Sequence, residues 1–229
     1  MVGDRRFGKM SKKLFSEIPY IEGEGVILRQ LTQEDAPDLK RMVDSAIVYR
    51  YLPTFLFEKK YDDIHYVIDH LYDECFEESI VLGIFAEKAL LVGDDNRNAG
   101  ESAGHVSEMT DESSCSVSDA SNNYAARDPE YVFCGLTEMY GYRDEYHKIS
   151  VGVRTAEHSW GHGISVIVLR LMVDYLYNET DIEIITASTM IDNVAVAKMM
   201  TKTDFELVVH DSPEDWGYDE PTRTDKWIR

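Results

Sequence analysis

Apolar residues recur in this chain with two clear periods, two apart in some stretches and three to four apart in others. Val26-Ile27-Leu28-Arg29-Gln30-Leu31 alternates as a strand does. Thr32 follows as a helix N-cap with Asp35 three residues on, a variant of the capping box. Leu39, Met42, Val43 and Ala46 then repeat at helical spacing until Pro53 breaks the pattern. Ile64, Val67, Ile68, Leu71, Tyr72 and Cys75 predict a second amphipathic helix. Ser79 to Phe85, rich in β-branched and apolar residues, reads as a strand.

The pattern stops at Gly93. From there to Glu130 aliphatic residues nearly vanish, and nine carboxylates face two arginines. Such a segment buries too little apolar surface to offset its ordering entropy, so a disordered acidic insertion is expected at about 93–130. Order resumes at Tyr131-Val132-Phe133-Cys134-Gly135-Leu136. A turn around Tyr140-Gly141-Tyr142 leads to the run Lys148 to Arg154, and the two runs make a hairpin. A helix pattern from Ile164 to Tyr177 follows, then a strand at Glu183 to Ser188. Asp192-Asn193 caps a short helix carrying Val194, Val196, Met199 and Met200. Phe205 to Val209 and Thr224 to Ile228 read as the last strands. Strands and helices in this order predict an α+β plan with a mixed sheet.

Composition narrows the partners. The 229 residues carry a formal charge of −20, which argues against nucleic acid, because phosphate contacts need lysine and arginine clusters. A cationic partner, such as an amine or a basic peptide, is attracted instead. No apolar run approaches the roughly 20 residues that span a bilayer, so no membrane partner is expected. The basic start, Met1 to Lys13, has no apolar stretch before a cleavage site and is read as no secretory signal. Cys75, Cys115 and Cys134 are odd in number and widely spaced, which suits free thiols in a cytoplasmic protein and no metal site.

The junction His158-Ser159-Trp160-Gly161-His162-Gly163-Ile164 carries the chemistry. A strand runs into it and a long helix runs out. Glycines let backbone approach a ligand where a Cβ would clash. The helix start supplies unpaired N–H groups and a positive dipole end, together a site for a phosphate. The dinucleotide fingerprint fails, since Val166 stands where its third glycine belongs. A Walker loop fails as well, because Gly163-Ile164-Ser165 has no lysine. His158 and His162 lack the following glutamate of a zincin helix.

One family fits these residues. Val151-Gly152-Val153-Arg154 followed by Ser159-Trp160-Gly161-His162-Gly163-Ile164 resembles the acetyl-CoA loop of the GNAT acyltransferases. Their pattern is Arg or Gln, two residues, Gly, one residue, then Gly or Ala; here His158 takes the first position. The Trp-Gly-x-Gly form is most similar to the branch of the ribosomal-protein N-terminal acetyltransferases. Asn193, then Lys202, Asp204 and Phe205, is similar to that branch's Asn…Lys-x-Gly-Phe ending, and Leu28 to Asp35 to its opening. Met199-Met200 stand where many members carry a tyrosine acid.

The resemblance implies a GNAT-like domain over 25–229 after an N-terminal extension, 1–24. It implies a mostly antiparallel sheet with a central splayed pair of parallel strands and flanking helices. It further implies an N-acetyltransferase that moves an acetyl group from acetyl-CoA to a primary amine by direct attack. The acceptor is then a small molecule or a protein N-terminus, and the protein a monomer or homodimer. The implied cofactor contacts are Val151, Val153, His158, Trp160, Gly161, His162, Gly163, Ile164 and Asn193. Trp160 packs to fix the loop, and Asn193 doubles as helix cap. Glu138 and His147, near the hairpin ends, are the candidate bases. The alternative is a degenerate acyl-CoA-binding sensor or scaffold, favoured by the missing tyrosine and by His158.

Overall fold

A computed structural model describes residues 14–92 and 130–229. Eight strands form one sheet: β1 (Ile21–Gly23), β2 (Val26–Arg29), β3 (Ser79–Glu87), β4 (Tyr131–Arg143), β5 (Lys148–Thr155), β6 (Ile184–Met190), β7 (Glu206–Glu214) and β8 (Thr222–Ile228). Their spatial order is β1-β2-β3-β4-β5-β6-β8-β7. Every pairing is antiparallel except β5 with β6. Apart from single turns, the helices of the described residues are α1 (Ala36–Val43), a composite α2, α3 (Ile164–Glu179) and α4 (Val194–Lys202). Helix α2 joins Ile64–Tyr66, a π-helical stretch Val67–Leu71 and Tyr72–Glu74. None of the helices among the described residues is long and apolar enough to cross a membrane.

Local chemistry explains several boundaries. Asp35 accepts hydrogen bonds from the Thr32 N–H (2.8 Å) and hydroxyl (3.1 Å), closing the expected cap. Helix α1 then starts with Pro37 in its first turn, where no backbone donor is lost. Asn193 caps α4 by accepting from the Val196 N–H at 3.3 Å. Strand β3 is a nearly unbroken apolar run because both its faces are covered. Ile80, Leu82 and Ile84 pack with the Val168, Leu169 and Met172 side of α3, whereas Val81 and Phe85 pack with Leu39, Met42, Val67 and Ile68 of α1 and α2.

Two expected boundaries move. The turn at Tyr140-Gly141-Tyr142 does not form. Strand β4 runs on to Arg143, and the chain reverses through the 3-10 turn Asp144–Tyr146 and His147, which has a φ of 46°. Gly141, at φ 64°, produces a bulge instead, a shift of register between Tyr140 and Arg143. The N-terminal boundary at residue 25 falls inside a hairpin. Ile21–Gly23 pair with Val26–Leu28, and Leu14 is buried in the main core, so residues 14–24 are part of the fold. The expected acidic insertion at 93–130 lies outside the described residues apart from Glu130. It leaves from the β3–β4 hairpin, whose pairing extends to Glu87 opposite Tyr131, with the Lys88 N–H donating to the Glu130 carbonyl at 2.9 Å.

The feature that positions the site is the central parallel pair. Strands β5 and β6 pair only over Lys148–Ile184, Ile149–Ile185 and Ser150–Thr186. The Ser150 and Thr186 hydroxyls, 2.9 Å apart, mark the last rung. Beyond it β6 turns to β8, pairing from Thr186 to Met190. From Val151 to Thr155 the edge of β5 that faces β6 has no paired strand among the described residues, while β4 stays paired along the other edge.

Candidate active site

The open edge of β5 ends at the glycine loop. Trp160, although 44% exposed, donates its indole N–H to the Thr155 carbonyl at 2.9 Å, pinning the loop to the strand. His158 Nε2 lies 3.0 Å from the Phe133 carbonyl, and the Ser159 hydroxyl donates to the Ala156 carbonyl at 2.7 Å. These bonds consume the side chains on shaping the loop. Gly161 (φ 82°) and Gly163 (φ 80°) hold left-handed backbone, and a Cβ on either would enter open space. Helix α3 begins at once. Its first intrahelical bonds run from the Val166 and Ile167 N–H to the Gly163 carbonyl, which leaves the Ile164 and Ser165 amides at the positive helix end. Such a cradle fits a phosphate, and only glycine keeps it open.

Between the splayed strands lies a cavity of about 270 Å³. Val151, Gly152, Val153 and Arg154 of β5 line one side; Ser188 to Met190, Asn193, Val196, Met199 and Met200 line the other. Glu138 and Tyr140 of β4 reach it from the floor. They sit two residues apart on one strand and so share a face.

Behind Glu138 is a buried charged network. Arg154, 6% exposed, places Nη1 3.2 Å from Glu138 Oε2 and Nε 2.7 Å from Glu58 Oε1. The Nε–H is not aligned on the Glu58 oxygen, so that contact is an ion pair and not a hydrogen bond. Glu58, 1% exposed, also accepts from the Tyr49 hydroxyl (3.2 Å) and the Tyr72 hydroxyl (3.1 Å). The Ser79 hydroxyl donates to Glu138 at 2.9 Å. Burial works against the Arg154 charge, but Glu58 and Glu138 outweigh it and keep the guanidinium charged. Burial, reinforced by the charges of Glu138 and Glu214, raises the Tyr140 hydroxyl above its ordinary value despite Arg154. Tyr140 therefore stays protonated at neutral pH. Burial also acts on Glu214, yet its hydrogen bond and ion pair with Lys226 outweigh it and hold the carboxyl below its usual range.

Of the residues expected at the site, Glu138, Val151, Val153 and Asn193 line the cavity. Trp160, Gly161, His162, Gly163 and Ile164 form the adjoining loop and helix start, where the Ile164 side chain is buried in the core and only its amide is offered. His158 points to β4 instead. His147 is not brought to the cavity. It precedes β5 at the closed end of the strand pair, with Nδ1 3.4 Å from Asp181.

A family model for the acetyltransferase (GNAT) domain matches residues 26–206. The chain belongs to the GNAT acetyltransferase family. Solved structures agree in fold at low identity. An acetyltransferase of the GNAT family from Bacillus anthracis matches with a TM-score of 0.62 and 11% identity, over 92% of this chain and 97% of its own. Spermidine N-acetyltransferase from Vibrio cholerae, in complex with CoA and spermine, gives 0.60 and 11%, over 90% and 96%. A ribosomal L7/L12 α-N-protein acetyltransferase in complex with coenzyme A gives 0.62 and 12%, over 92% and 97%. Comparison with curated protein sequences returned no match. As a GNAT acetyltransferase the chain is an acyltransferase enzyme, built on the mostly antiparallel sheet with one parallel pair that the family resemblance implied.

Sequence reasoning missed Tyr140, the Arg154–Glu58 pair and Asp215. Along the chain, Gly141 after Tyr140 reads as a turn. Arg154 stands within the motif, but its partner Glu58 lies on the single helical turn Phe57–Lys60, far along the chain. A lone glutamate among Phe57, Lys59 and Lys60 carries no signal of burial. Asp215, which also lines the cavity, sits in the β7–β8 loop, where acidic residues are common for solubility alone.

Proposed function

We propose that this GNAT enzyme is an acetyl-CoA-dependent N-acetyltransferase acting on a primary amine by direct attack. The reading is carried by the open edge of β5 leading straight into a glycine loop at a helix N-terminus. The Gly161, His162, Gly163 and Ile164 amides are assigned the pyrophosphate. The free edge at Val151 and Val153 is assigned the pantetheine, with Asn193 and α4 on the facing wall. His158 and Trp160 hold the loop in shape. Acetyl-CoA supplies an acetyl thioester, whose thiolate is a good leaving group.

Glu138 is the general base in this reading. It faces the cavity, and an amine that is mostly protonated at neutral pH must lose a proton before it attacks. The neutral nitrogen forms the new N–C bond as the thioester C–S bond breaks. Tyr140 donates its proton to the departing sulfur and regains one from the acylated nitrogen, so free thiol and an amide are released, while Glu138 passes the proton it took from the ammonium to solvent. Positioning in the cavity supplies much of the remaining rate. His147 takes no part, because it lies at the closed end of the strand pair. The unbridged thiols of Cys75 and Cys134 suit the cytoplasm.

A thermal-shift titration with acetyl-CoA, CoA and ATP side by side tests the donor without any guess about the acceptor. Stabilisation by acetyl-CoA and CoA but not by ATP supports the assignment. No shift, or a shift with ATP alone, rejects it. Thiol release in the presence of amines then tests turnover.

A further inference from the structure

Two segments 162 residues apart in the chain join over one end of the cavity. The Thr54 N–H donates to the Trp216 carbonyl at 2.9 Å, and the Thr54 hydroxyl donates to the same oxygen at 3.2 Å. The Tyr218 hydroxyl donates to the Leu52 carbonyl at 2.8 Å. Gly217, at φ 81°, packs so tightly on Thr54 that any side chain there would collide with its hydroxyl. The Trp216 indole N–H is in turn fixed on Glu214 at 2.9 Å. Leu52, Pro53, Phe55 and Trp216, which flank or form the bridge, line the same cavity as Val196, Met199 and Met200 of α4.

Tyr51, Leu52, Pro53, Phe55, Leu56 and Trp216 make the wall beneath this bridge predominantly apolar. The charged residues that line the cavity, Glu138, Arg154, Glu214 and Asp215, are negative in sum. Arg154 is shared between Glu58 and Glu138, and Lys226 is used by Glu214. Asp215 accepts from the Gly217 N–H at 2.9 Å and has no cationic partner among the described residues.

We infer that the acceptor is a small cationic amine with an apolar body, and not the N-terminus of a protein. This rests on the acetyltransferase reading above and goes beyond it. The surplus carboxylate charge draws in and orients an ammonium group. The apolar wall takes the body of the molecule out of water. A protein N-terminus brings its following chain with it, and that chain cannot leave between these two segments, which the Thr54–Trp216 hydrogen bonds hold in contact. A polyamine would set its further charges against Leu52, Pro53, Phe55 and Leu56.

Thiol release at saturating acetyl-CoA tests this with phenethylamine and hexylamine, with spermidine, and with a serine-initiated octapeptide. The two apolar monoamines are expected to exceed the others in kcat/KM by about tenfold or more, roughly 1.4 kcal/mol. Phe55 is 55% exposed, so Phe55→Ala is expected to fold. It should raise KM for the monoamines by about fivefold, through lost apolar contact, with KM for acetyl-CoA unchanged. Preference for the octapeptide or spermidine overturns the inference, as does an unchanged monoamine KM in Phe55→Ala. Thiol release with none of these acceptors, in a protein that binds acetyl-CoA, also overturns it. Absence of acetyl-CoA binding overturns the underlying donor assignment instead.

Discussion

The Arg154 guanidinium and the Glu58 carboxylate meet at 2.7 Å with almost no access to water. This pair ties the short turn carrying Glu58 to the strand that borders the cavity. Removing one partner strands a buried charge, which costs far more than the pair contributes when intact. We predict that Glu58→Ala lowers the unfolding free energy by about 3–5 kcal/mol. The double variant Glu58→Leu with Arg154→Met should lose clearly less, since the carboxylate it leaves without a cation, Glu138, is 20% exposed and keeps the Ser79 hydroxyl. Urea unfolding of the three proteins checks this. Equal losses in the single and double variants would show that packing, not charge, dominates.

The same network sets a limit at alkaline pH. Burial, then the Glu58 charge, raises the Tyr49 and Tyr72 hydroxyls above their ordinary 10.0. A folded-state value above the unfolded one contributes stability that is complete below about pH 10 and lost as pH rises further. The unfolded tyrosines ionise there while the folded ones hold their protons. Urea midpoints should therefore fall between about pH 9 and about pH 11, and Tyr49→Phe should reduce the fall. An equally steep decline in that variant would place the alkaline sensitivity elsewhere.

Much of this fold is legible along the chain because its signals are local. The Thr32–Asp35 cap, the doubly buried run of β3 and the Gly161-His162-Gly163 loop each announce themselves within a few residues. The site is less legible because it depends on strand direction and distant pairing. His147 adjoins the hairpin in sequence, yet β5 runs eight residues away from it, at about 3.3 Å each, before the loop begins. Gly141 has two physical readings, turn or bulge, and only the pairing of β4 with β5 decides between them. The bulge is what leaves Tyr140 in the strand and beside Glu138.

The loop's two left-handed glycines yield a direct test of the phosphate cradle. Alanine at φ 82° costs about 1–2 kcal/mol in backbone strain. Its Cβ would also project into the open space assigned to the phosphates. Gly161→Ala is expected to weaken acetyl-CoA binding by about tenfold or more in calorimetric titration. The melting temperature should drop by only a few degrees, roughly as the strain alone requires. Full affinity in the folded variant would remove the loop from the binding site.

The division of labour at the cavity floor is testable by three single changes. Glu138→Gln keeps the shape and a hydrogen-bond acceptor for Arg154 but cannot take a proton. It is expected to lower kcat by about 10²-fold or more, with KM for acetyl-CoA unchanged. Tyr140→Phe removes the proton donor and should lower kcat less steeply, because a thiolate leaves readily without full protonation. Poor leaving groups would expose the difference, so an oxoester analogue of the donor should widen the Tyr140→Phe defect. His147→Ala should stay close to the parent rate, since its ring faces Asp181 at the closed end of the strand pair. A rate loss in His147→Ala that matches Glu138→Gln, with both proteins equally stable, would reverse the assignment of the base.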